Sequence, residues 1–218
     1  MYLISHKLKF IFFHTPKTGG LSIFETLKKY GIFICRQRDF IIRNLRKIIV
    51  NNYRIGLYEY HIPASKMKLT FDPIKWDEYF KFGFVRNPYR WVHSYYQFIR
   101  MTSTHRRYIR FQAFKDIDHF VSEVRMIEPE IPRQANYLTD MGNNLLVDFI
   151  GHYENINKDF SMVLSKLSLS ENIKLPHLNK SDRIDKPVIE IFSKQSIRTI
   201  NDYFNRDFLI FNYPKIHV

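Results

Sequence analysis

The chain of 218 residues has a single cysteine, Cys35, and only 7 glycines and 9 prolines. One cysteine excludes an internal disulfide and fits a reducing compartment, and so few glycines and prolines exclude a fibrous or low-complexity chain. The sequence also lacks an apolar run of about 18 residues, the length that a membrane-spanning helix needs. Its first residues are too polar for a signal peptide. These absences predict a soluble, cytoplasmic protein with no membrane span.

Acidic residues are too few to balance the basic ones, since 21 Asp and Glu stand against 34 Lys and Arg. The net charge of +13 attracts anions such as nucleic acid, an anionic membrane, a phosphorylated cofactor or an acidic glycan. Two basic stretches, residues 36–54 and 100–110, either contact an anionic acceptor or form a solvated face. Hydrophobic residues make up 45% of the chain without repeats or flexible linkers, which predicts one domain over residues 1–218.

Short apolar segments alternate along the chain with amphipathic segments of helical period. Residues 8–14 contain the run FIFF, which is typical of a strand buried on both faces of a parallel sheet. Strands that alternate with helices indicate an α/β fold with a central, mostly parallel sheet flanked by helices. Further strands are predicted at 55–63, 79–86 and 145–154, helices at 20–30, from Pro88, at 117–127, 157–167 and 187–204, and a basic loop at 100–111.

The turn after the first predicted strand has the sequence PKTGGLS. In a triphosphate P-loop, G-x-x-x-x-G-K-[ST], the lysine follows the glycines, whereas here Lys17 precedes them. Gly19 and Gly20 allow backbone amides to approach an anion, and the helix N-terminus adds N–H groups and a positive dipole. The hydroxyls of Thr18 and Ser22 are further donors. The turn therefore predicts anion binding, the alternative being a tight turn with a surface lysine.

A second strand-to-helix junction reads RNPYRWVHS. Asn87 is a natural N-cap and Pro88 suits the first helical position. Arg86 ends the strand at the carboxyl edge of the sheet, where open α/β sheets bind ligands. Ser94 returns to nearly the same side of the helix as Asn87, about 10 Å along its axis. Arg86 and Ser94 are thus able to grip one phosphate from two sides, unless the segment is simply a capped amphipathic helix.

Together the two turns resemble those of sulfotransferases that use 3′-phosphoadenosine 5′-phosphosulfate (PAPS). The chain is most similar to the carbohydrate branch that includes heparan sulfate 2-O-sulfotransferase, which implies the P-loop NTPase-like sulfotransferase fold. PKTGG-x-S resembles the loop for the 5′-phosphosulfate, and VRNPY followed by Ser94 resembles the segment that binds the 3′-phosphate. The resemblance spans about residues 8 to 185 and includes, in the family's order, YHIPA, RQANYLTD, VDFIGHYENINKDF and LPHLNKSD.

The resemblance implies a role for each matching residue. Lys17 would contact the bridging oxygen and stabilise the departing phosphate, and Arg86 with Ser94 would bind the 3′-phosphate. Leu21 departs from the threonine that relatives commonly carry, which removes a hydroxyl but keeps the backbone amide. The implied cofactor-binding residues are Pro16, Lys17, Thr18, Gly19, Gly20, Leu21, Ser22, Arg86 and Ser94, with Asn179, Lys180 and Ser181 in a loop that closes over the nucleotide.

The catalytic base is expected in the stretch YEYHIP. On a strand, Glu59 and His61 lie two apart and face the same side. A histidine that titrates near neutrality suits removal of a proton from an acceptor hydroxyl, and His61 also matches the base histidine of the heparan sulfate 2-O-sulfotransferase type. Glu59 is the alternative base or the orienting partner of His61. The competing interpretation is that His61 is a structural or surface histidine.

The resulting hypothesis is in-line transfer of a sulfuryl group from PAPS to a hydroxyl of a saccharide or glycoconjugate, with adenosine 3′,5′-bisphosphate as product. No metal is expected, because Cys/His pairs and clustered carboxylates at ligand spacing are lacking. We expect a bacterial glycan as acceptor, while the sequence leaves the oligomeric state open. One alternative is a P-loop kinase, which the missing G-x-x-x-x-G-K-[ST] disfavours. The other is a nucleic-acid-binding module, although the chain lacks a recognisable reading motif.

Overall fold

The computed structural model describes residues 2–34, 61–105, 107–124, 131–176 and 186–218. Five predicted features lie outside these residues: Cys35, Glu59, the basic stretch 36–54, the first part of the predicted strand 55–63 and the loop Asn179–Ser181. The last three residues of that strand, from His61 to Pro63, are described and do not continue a strand.

The described residues contain a five-stranded sheet in the order β3-β1-β2-β4-β5. Neighbours β2, β4 and β5 are parallel, while β1 is antiparallel to both β2 and β3. Four of these five strands therefore run in one direction, which confirms the predicted α/β class with a mostly parallel sheet. The strands are β1 Tyr2–Ser5, β2 Phe10–Phe13, β3 Ile32–Ile34, β4 Phe80–Val85 and β5 Phe149–His152.

Helices cover both faces of the sheet. The predictions of helices after the PKTGG turn, after Asn87 and at 157–167 are confirmed by α1, α4 and α8. The helices are α1 Gly20–Leu27, α2 Ala64–Thr70, α3 Pro73–Glu78, α4 Pro88–Met101, α5 Tyr108–Gln112, α6 Ile117–Ser122, α7 Ala135–Leu138, α8 Ile156–Lys166, α9 Val188–Ile191, α10 Lys194–Tyr203 and α11 Asn205–Ile210.

Two local predictions were wrong, and one strand was not predicted. The helix predicted at 187–204 is two helices, because the Ser193 hydroxyl accepts a hydrogen bond from Ser196 N–H at 3.2 Å and starts α10 afresh. The basic loop predicted at 100–111 is helical at both ends, since α4 continues to Met101 and α5 begins at Tyr108. Strand β1 was missed because three apolar residues and a serine carry too little pattern to be recognised.

Alternate residues of β2 face the two hydrophobic layers of the core. Phe10 and Phe12 pack towards α1 and α8, whereas Ile11 and Phe13 pack towards α2, α3 and α7. All four side chains are buried, and so the segment reads as continuously apolar. A third cluster joins α4 to α5, α6, α10 and α11. This packing fixes α1 and α4 relative to the strands that precede them.

Candidate active site

The two predicted phosphate-binding turns lie at one edge of the sheet. The PKTGG turn follows β2, and Arg86 follows β4, which is the parallel neighbour of β2. Beyond β4 lies β5, also parallel, and it leads into a short 3₁₀ helix at Tyr153–Asn155. The carboxyl ends of three parallel strands therefore meet here, at the place where open α/β sheets bind ligands.

The PKTGG turn is held in a conformation that most residues avoid. Lys17 and Gly19 both have left-handed backbones, with φ of 63° and 76°. A Cβ on Gly19 would also lie 2.5 Å from Cδ1 of Ile156, so a side chain at this position has no room. Gly19 is the N-cap of α1 without a side-chain cap. The first amides of α1 therefore depend on water or a bound anion for partners.

The side chains of Thr18 and Leu21 stabilise the turn and its packing. The Thr18 side chain is buried, and its hydroxyl donates to the Thr15 carbonyl at 2.8 Å, so its proton stabilises the turn itself. Leu21 packs against the core, which leaves its backbone amide for an anion. Ser22 is buried in the first turn of α1, where its N–H donates to the Gly19 carbonyl at 3.0 Å.

The close approach of the His14 ring requires glycine at position 20. A Cβ at Gly20 would lie 1.9 Å from Cδ2 of His14, well inside the ring's van der Waals surface. His14 is half-buried, and its Nδ1 is a buried atom with no hydrogen-bond partner among the described residues. Burial lowers the pKa of His14 well below its ordinary value, and the neighbouring His61 lowers it further. His14 is therefore a neutral ring that forms the floor of the turn.

Lys17 lies where a second cation is close by. Its Nζ is 3.9 Å from the centroid of the Phe98 ring on α4, a geometry in which the ring face attracts the ammonium group. Burial lowers the pKa of Lys17 to about 8, and the positive charge of Arg86 contributes to the shift. Two cations that follow adjacent parallel strands at the carboxyl edge of a sheet create a positive potential that favours an anion.

Arg86 is fixed on both its side chain and its backbone. Its guanidinium carbon lies 4.2 Å from the centroid of the Tyr153 ring. Its N–H donates to Gln134 Oε1, and its carbonyl accepts from Gln134 Nε2, both at 2.7 Å. Burial lowers its pKa, although Tyr153 and Glu154 oppose the shift. Within the described part of the chain, Nε of Arg86 is buried and has no hydrogen-bond partner, which fits an arginine that awaits an anionic ligand.

Helix α4 starts as its sequence predicts. The Asn87 side chain accepts hydrogen bonds from Tyr89 N–H at 3.1 Å and Arg90 N–H at 3.4 Å, and Pro88 opens the helix. Ser94 is buried on this helix. On the same helix, burial lowers the pKa of His93, and Arg86 and Arg90 add to the effect. The start of α4 therefore lies in the positive field around Arg86.

His61 contacts the floor of the PKTGG turn. Its Nδ1–H donates to the His14 carbonyl at 2.7 Å, and the two imidazole rings lie 4.8 Å apart between centroids. This bond places the proton on Nδ1, so that Nε2 carries the lone pair. Burial lowers the pKa of His61 to about 4, although the bond to His14 opposes the shift. This pKa lies below the near-neutral range expected of a base histidine and keeps His61 neutral at physiological pH.

A comparison with known protein families identifies the family of the chain. The sequence model of the Sulfotransferase family matches residues 1–214 of the chain. The chain belongs to the Sulfotransferase family. Searches of curated proteins and of solved structures find no significant match. Family membership makes the protein a sulfotransferase, and members of this family generally take the sulfuryl group from PAPS.

In the sulfotransferase, Lys17 and Arg86 are 69 positions apart in sequence and follow adjacent parallel strands. His61 is linked to the PKTGG turn through its hydrogen bond to His14. Glu59 and the loop Asn179–Ser181 lie outside the described residues. No group of three or more His, Cys, Asp or Glu side chains within the described ranges is arranged to hold a metal ion. In the same ranges, no helix has both the length and the apolar character to cross a membrane.

Three contributors to the site of this sulfotransferase were not predicted from its sequence. Tyr153 stacks on Arg86, Gln134 holds its backbone, and Asp207 binds Gln134. Tyr153 and Gln134 fall inside stretches that resemble the family, and that resemblance is the signal that marks them. Asp207 follows those stretches, and its neighbourhood carries no motif.

Proposed function

We propose that the chain is a single sulfotransferase domain that transfers a sulfuryl group from PAPS to a hydroxyl of a saccharide or glycoconjugate. The carbohydrate branch that includes heparan sulfate 2-O-sulfotransferase is the branch that it resembles. The observation that supports this function best is that Lys17 and Arg86 follow the adjacent parallel strands β2 and β4 at the carboxyl edge of the sheet. Two cations at adjacent strand ends suit a nucleotide that carries phosphate groups at both its 5′ and its 3′ positions.

The PKTGG turn is proposed to bind the 5′ end of the nucleotide. The amides of Gly19, Gly20 and Leu21, with the hydroxyl of Ser22, form the anion-binding start of α1. PAPS, when bound there, supplies the activated sulfuryl group and a phosphate leaving group. Lys17 stabilises the negative charge that develops on that phosphate, as preorganised charge does in other group transfers. In this proposal Lys17 and the backbone amides provide the positive potential that a divalent ion provides in kinases.

Arg86 and Ser94 are proposed to bind the 3′-phosphate. The Arg86 guanidinium is already stacked on Tyr153 and carries a buried Nε without a partner among the described residues. Guanidinium groups bind phosphates through paired, charge-assisted hydrogen bonds. Ser94 adds a hydroxyl from α4. The residues present therefore fit a 3′-phosphorylated nucleotide.

His61 is proposed to accept the proton of the acceptor hydroxyl. The hydrogen bond to the His14 carbonyl orients the ring and leaves the lone pair on Nε2, as a general base requires. A pKa of about 4 keeps His61 in the neutral form over the whole physiological range. Glu59 stays an alternative base or partner, and the loop Asn179–Ser181 a proposed cover for the nucleotide. We propose a bacterial glycan as the acceptor.

The decisive experiment is transfer of labelled sulfate from PAPS to a panel of glycans. The wild type is compared with Lys17→Ala and His61→Ala, and adenosine 3′,5′-bisphosphate is measured as the second product. We expect transfer by the wild type and strong losses in both variants. A Lys17→Ala protein with near-normal transfer from PAPS would contradict the proposal. A parallel reaction with ATP and magnesium tests for kinase activity, and turnover there without turnover of PAPS would replace the proposed function.

A further inference from the structure

A fully buried carboxylate lies behind the site, outside every motif that identifies the family. Asp207 on α11 is 0% exposed. Its Oδ2 accepts a hydrogen bond from Gln134 N–H at 2.8 Å, and its Oδ1 accepts one from Ala135 N–H at 2.9 Å. Burial raises its pKa to about 6, against the effect of these hydrogen bonds. A buried charge is unfavourable unless it is paired, so this arrangement requires a reason.

Gln134 connects this carboxylate to Arg86. The Gln134 side chain is 1% exposed, and its amide bonds both the N–H and the carbonyl of Arg86 at 2.7 Å. Its Nε2 also lies 3.5 Å from Asp207 Oδ2. The pairing of β4 with β5 ends one residue earlier, at Val85. Gln134 thus replaces the missing strand partner for one residue, the one that carries the guanidinium.

We propose that Asp207, acting through Gln134, is a positioning residue. It holds Arg86 in the position from which Arg86 binds the 3′-phosphate of the donor nucleotide. This inference rests on the proposed function, because it assumes that Arg86 binds that phosphate. Asp207 fixes the rotamer and the position of Gln134, and Gln134 fixes the backbone from which the Arg86 side chain extends over Tyr153. Arg86 is thereby ordered in the folded protein already, so nucleotide binding does not have to order its side chain.

A second set of hydrogen bonds links Asn87, the residue after Arg86, to the part of the sequence that also contains Asp207. The Asn87 N–H donates to Glu154 Oε1 at 2.8 Å, and the Tyr213 hydroxyl donates to Glu154 Oε2 at 2.8 Å. Asp207 and Tyr213 both follow α10. The segment from α11 to Tyr213 therefore supports residues 86 and 87 from two sides, although it contributes no residue to the predicted phosphate-binding motifs.

The test compares two nucleotides that differ at the 3′ position. Adenosine 3′,5′-bisphosphate carries the 3′-phosphate, whereas adenosine 5′-monophosphate lacks it. Binding of each is measured by calorimetry at pH 7.5 for the wild type, Asp207→Asn and Gln134→Glu. Both substitutions keep the size of the side chain and remove hydrogen bonds of the relay. We expect affinity for the bisphosphate to fall about tenfold or more, and affinity for the monophosphate to stay within a factor of about two.

Asp148→Asn is the matched control. The Asp148 carboxylate accepts a hydrogen bond from Lys81 N–H at 2.7 Å near the opposite end of β4, so its loss weakens the same strand away from Arg86. We expect this variant to bind both nucleotides as the wild type does. If Asp207→Asn does not fold, Gln134→Glu alone tests the relay, because it changes the side chain that bonds the Arg86 backbone. It is expected to reduce bisphosphate affinity selectively.

The outcomes separate the inference from the function on which it rests. If the wild type does not bind the bisphosphate more tightly than the monophosphate, the proposed function is contradicted. The inference is then overturned as well. A wild type that does prefer the bisphosphate, together with folded variants that keep the full preference, overturns the inference alone. Equal losses for both nucleotides also overturn it, since they indicate a general structural role. Steady-state kinetics give a second readout, in which the KM for PAPS rises in Asp207→Asn and Gln134→Glu while kcat is nearly unchanged.

Discussion

The indole Nε1–H of Trp91 donates a hydrogen bond to the carbonyl oxygen of Pro16 at 2.8 Å. Trp91 is fully buried on α4, and Pro16 opens the PKTGG turn. The helix that follows Arg86 is thereby joined directly to the turn that carries Lys17. Since these two elements are proposed to bind opposite ends of one nucleotide, this bond contributes to the distance between the two phosphate sites.

Trp91→Phe is expected to uncouple the two elements. Phenylalanine keeps most of the buried surface but leaves the Pro16 carbonyl without its donor, which costs on the order of 1–3 kcal/mol. The free energy of unfolding should fall by about this amount, and the KM for PAPS should rise. Denaturant titration and steady-state kinetics measure the two effects. Trp76→Phe, at the other buried tryptophan, should lose stability without a change in KM, and equal KM values in both variants would contradict the coupling.

Activity should decline on the alkaline side as Lys17 loses its proton. The Lys17 pKa of about 8 means that the ammonium form dominates below pH 8 and is lost above it. Because kcat/KM reports the free enzyme, we expect kcat/KM for PAPS to fall as the pH rises through about 8. In Lys17→Arg the charge persists to higher pH, so any remaining activity should lack this decline. The same decline in Lys17→Arg would assign it to another group.

The acidic side of the profile should report His61. With a pKa of about 4, His61 is protonated below that pH and neutral above it. We therefore expect kcat/KM to rise through about pH 4 and to be level from about pH 5 to 7. His61→Ala should lower kcat by about 10²–10⁴-fold, whereas His217→Ala, at an exposed position, should have no effect. An acidic limb near the ordinary histidine pKa would show that another base acts.

Gly20→Ala should disturb both the turn and His61. The added methyl group would overlap the His14 ring, and His14 provides the carbonyl that orients His61. Overpacking of this kind costs about 1–3 kcal/mol, so we expect lower stability and lower kcat together. At Gly142 a Cβ meets its nearest atom, in the Asn144 side chain, at 3.1 Å. Gly142→Ala should therefore act as a near-neutral control in thermal unfolding and in transfer assays.

The parts of the fold that were predictable carry local signals. The apolar run of β2, the turn after it and the Asn87 cap are each determined within a few residues, and the structure contains all three. The break at Ser193 was missed because a serine inside an amphipathic pattern also fits a continuous helix. The relay from Asp207 depends on residues 73 positions apart. Such contacts exist only after the chain has packed, as does the burial that lowers the pKa of His61.

The backbone of Lys17 is left-handed, with φ of 63°. Substitutions at this position are therefore expected to affect stability and activity in opposite directions. This conformation costs a lysine about 1 kcal/mol, whereas glycine adopts it without strain and asparagine tolerates it. Lys17→Gly or Lys17→Asn should therefore fold at least as stably as the wild type while losing the charge that the reaction is proposed to need. Selection for thermal stability alone would replace this lysine, so a library sorted only by unfolding temperature should become enriched in inactive proteins at residue 17.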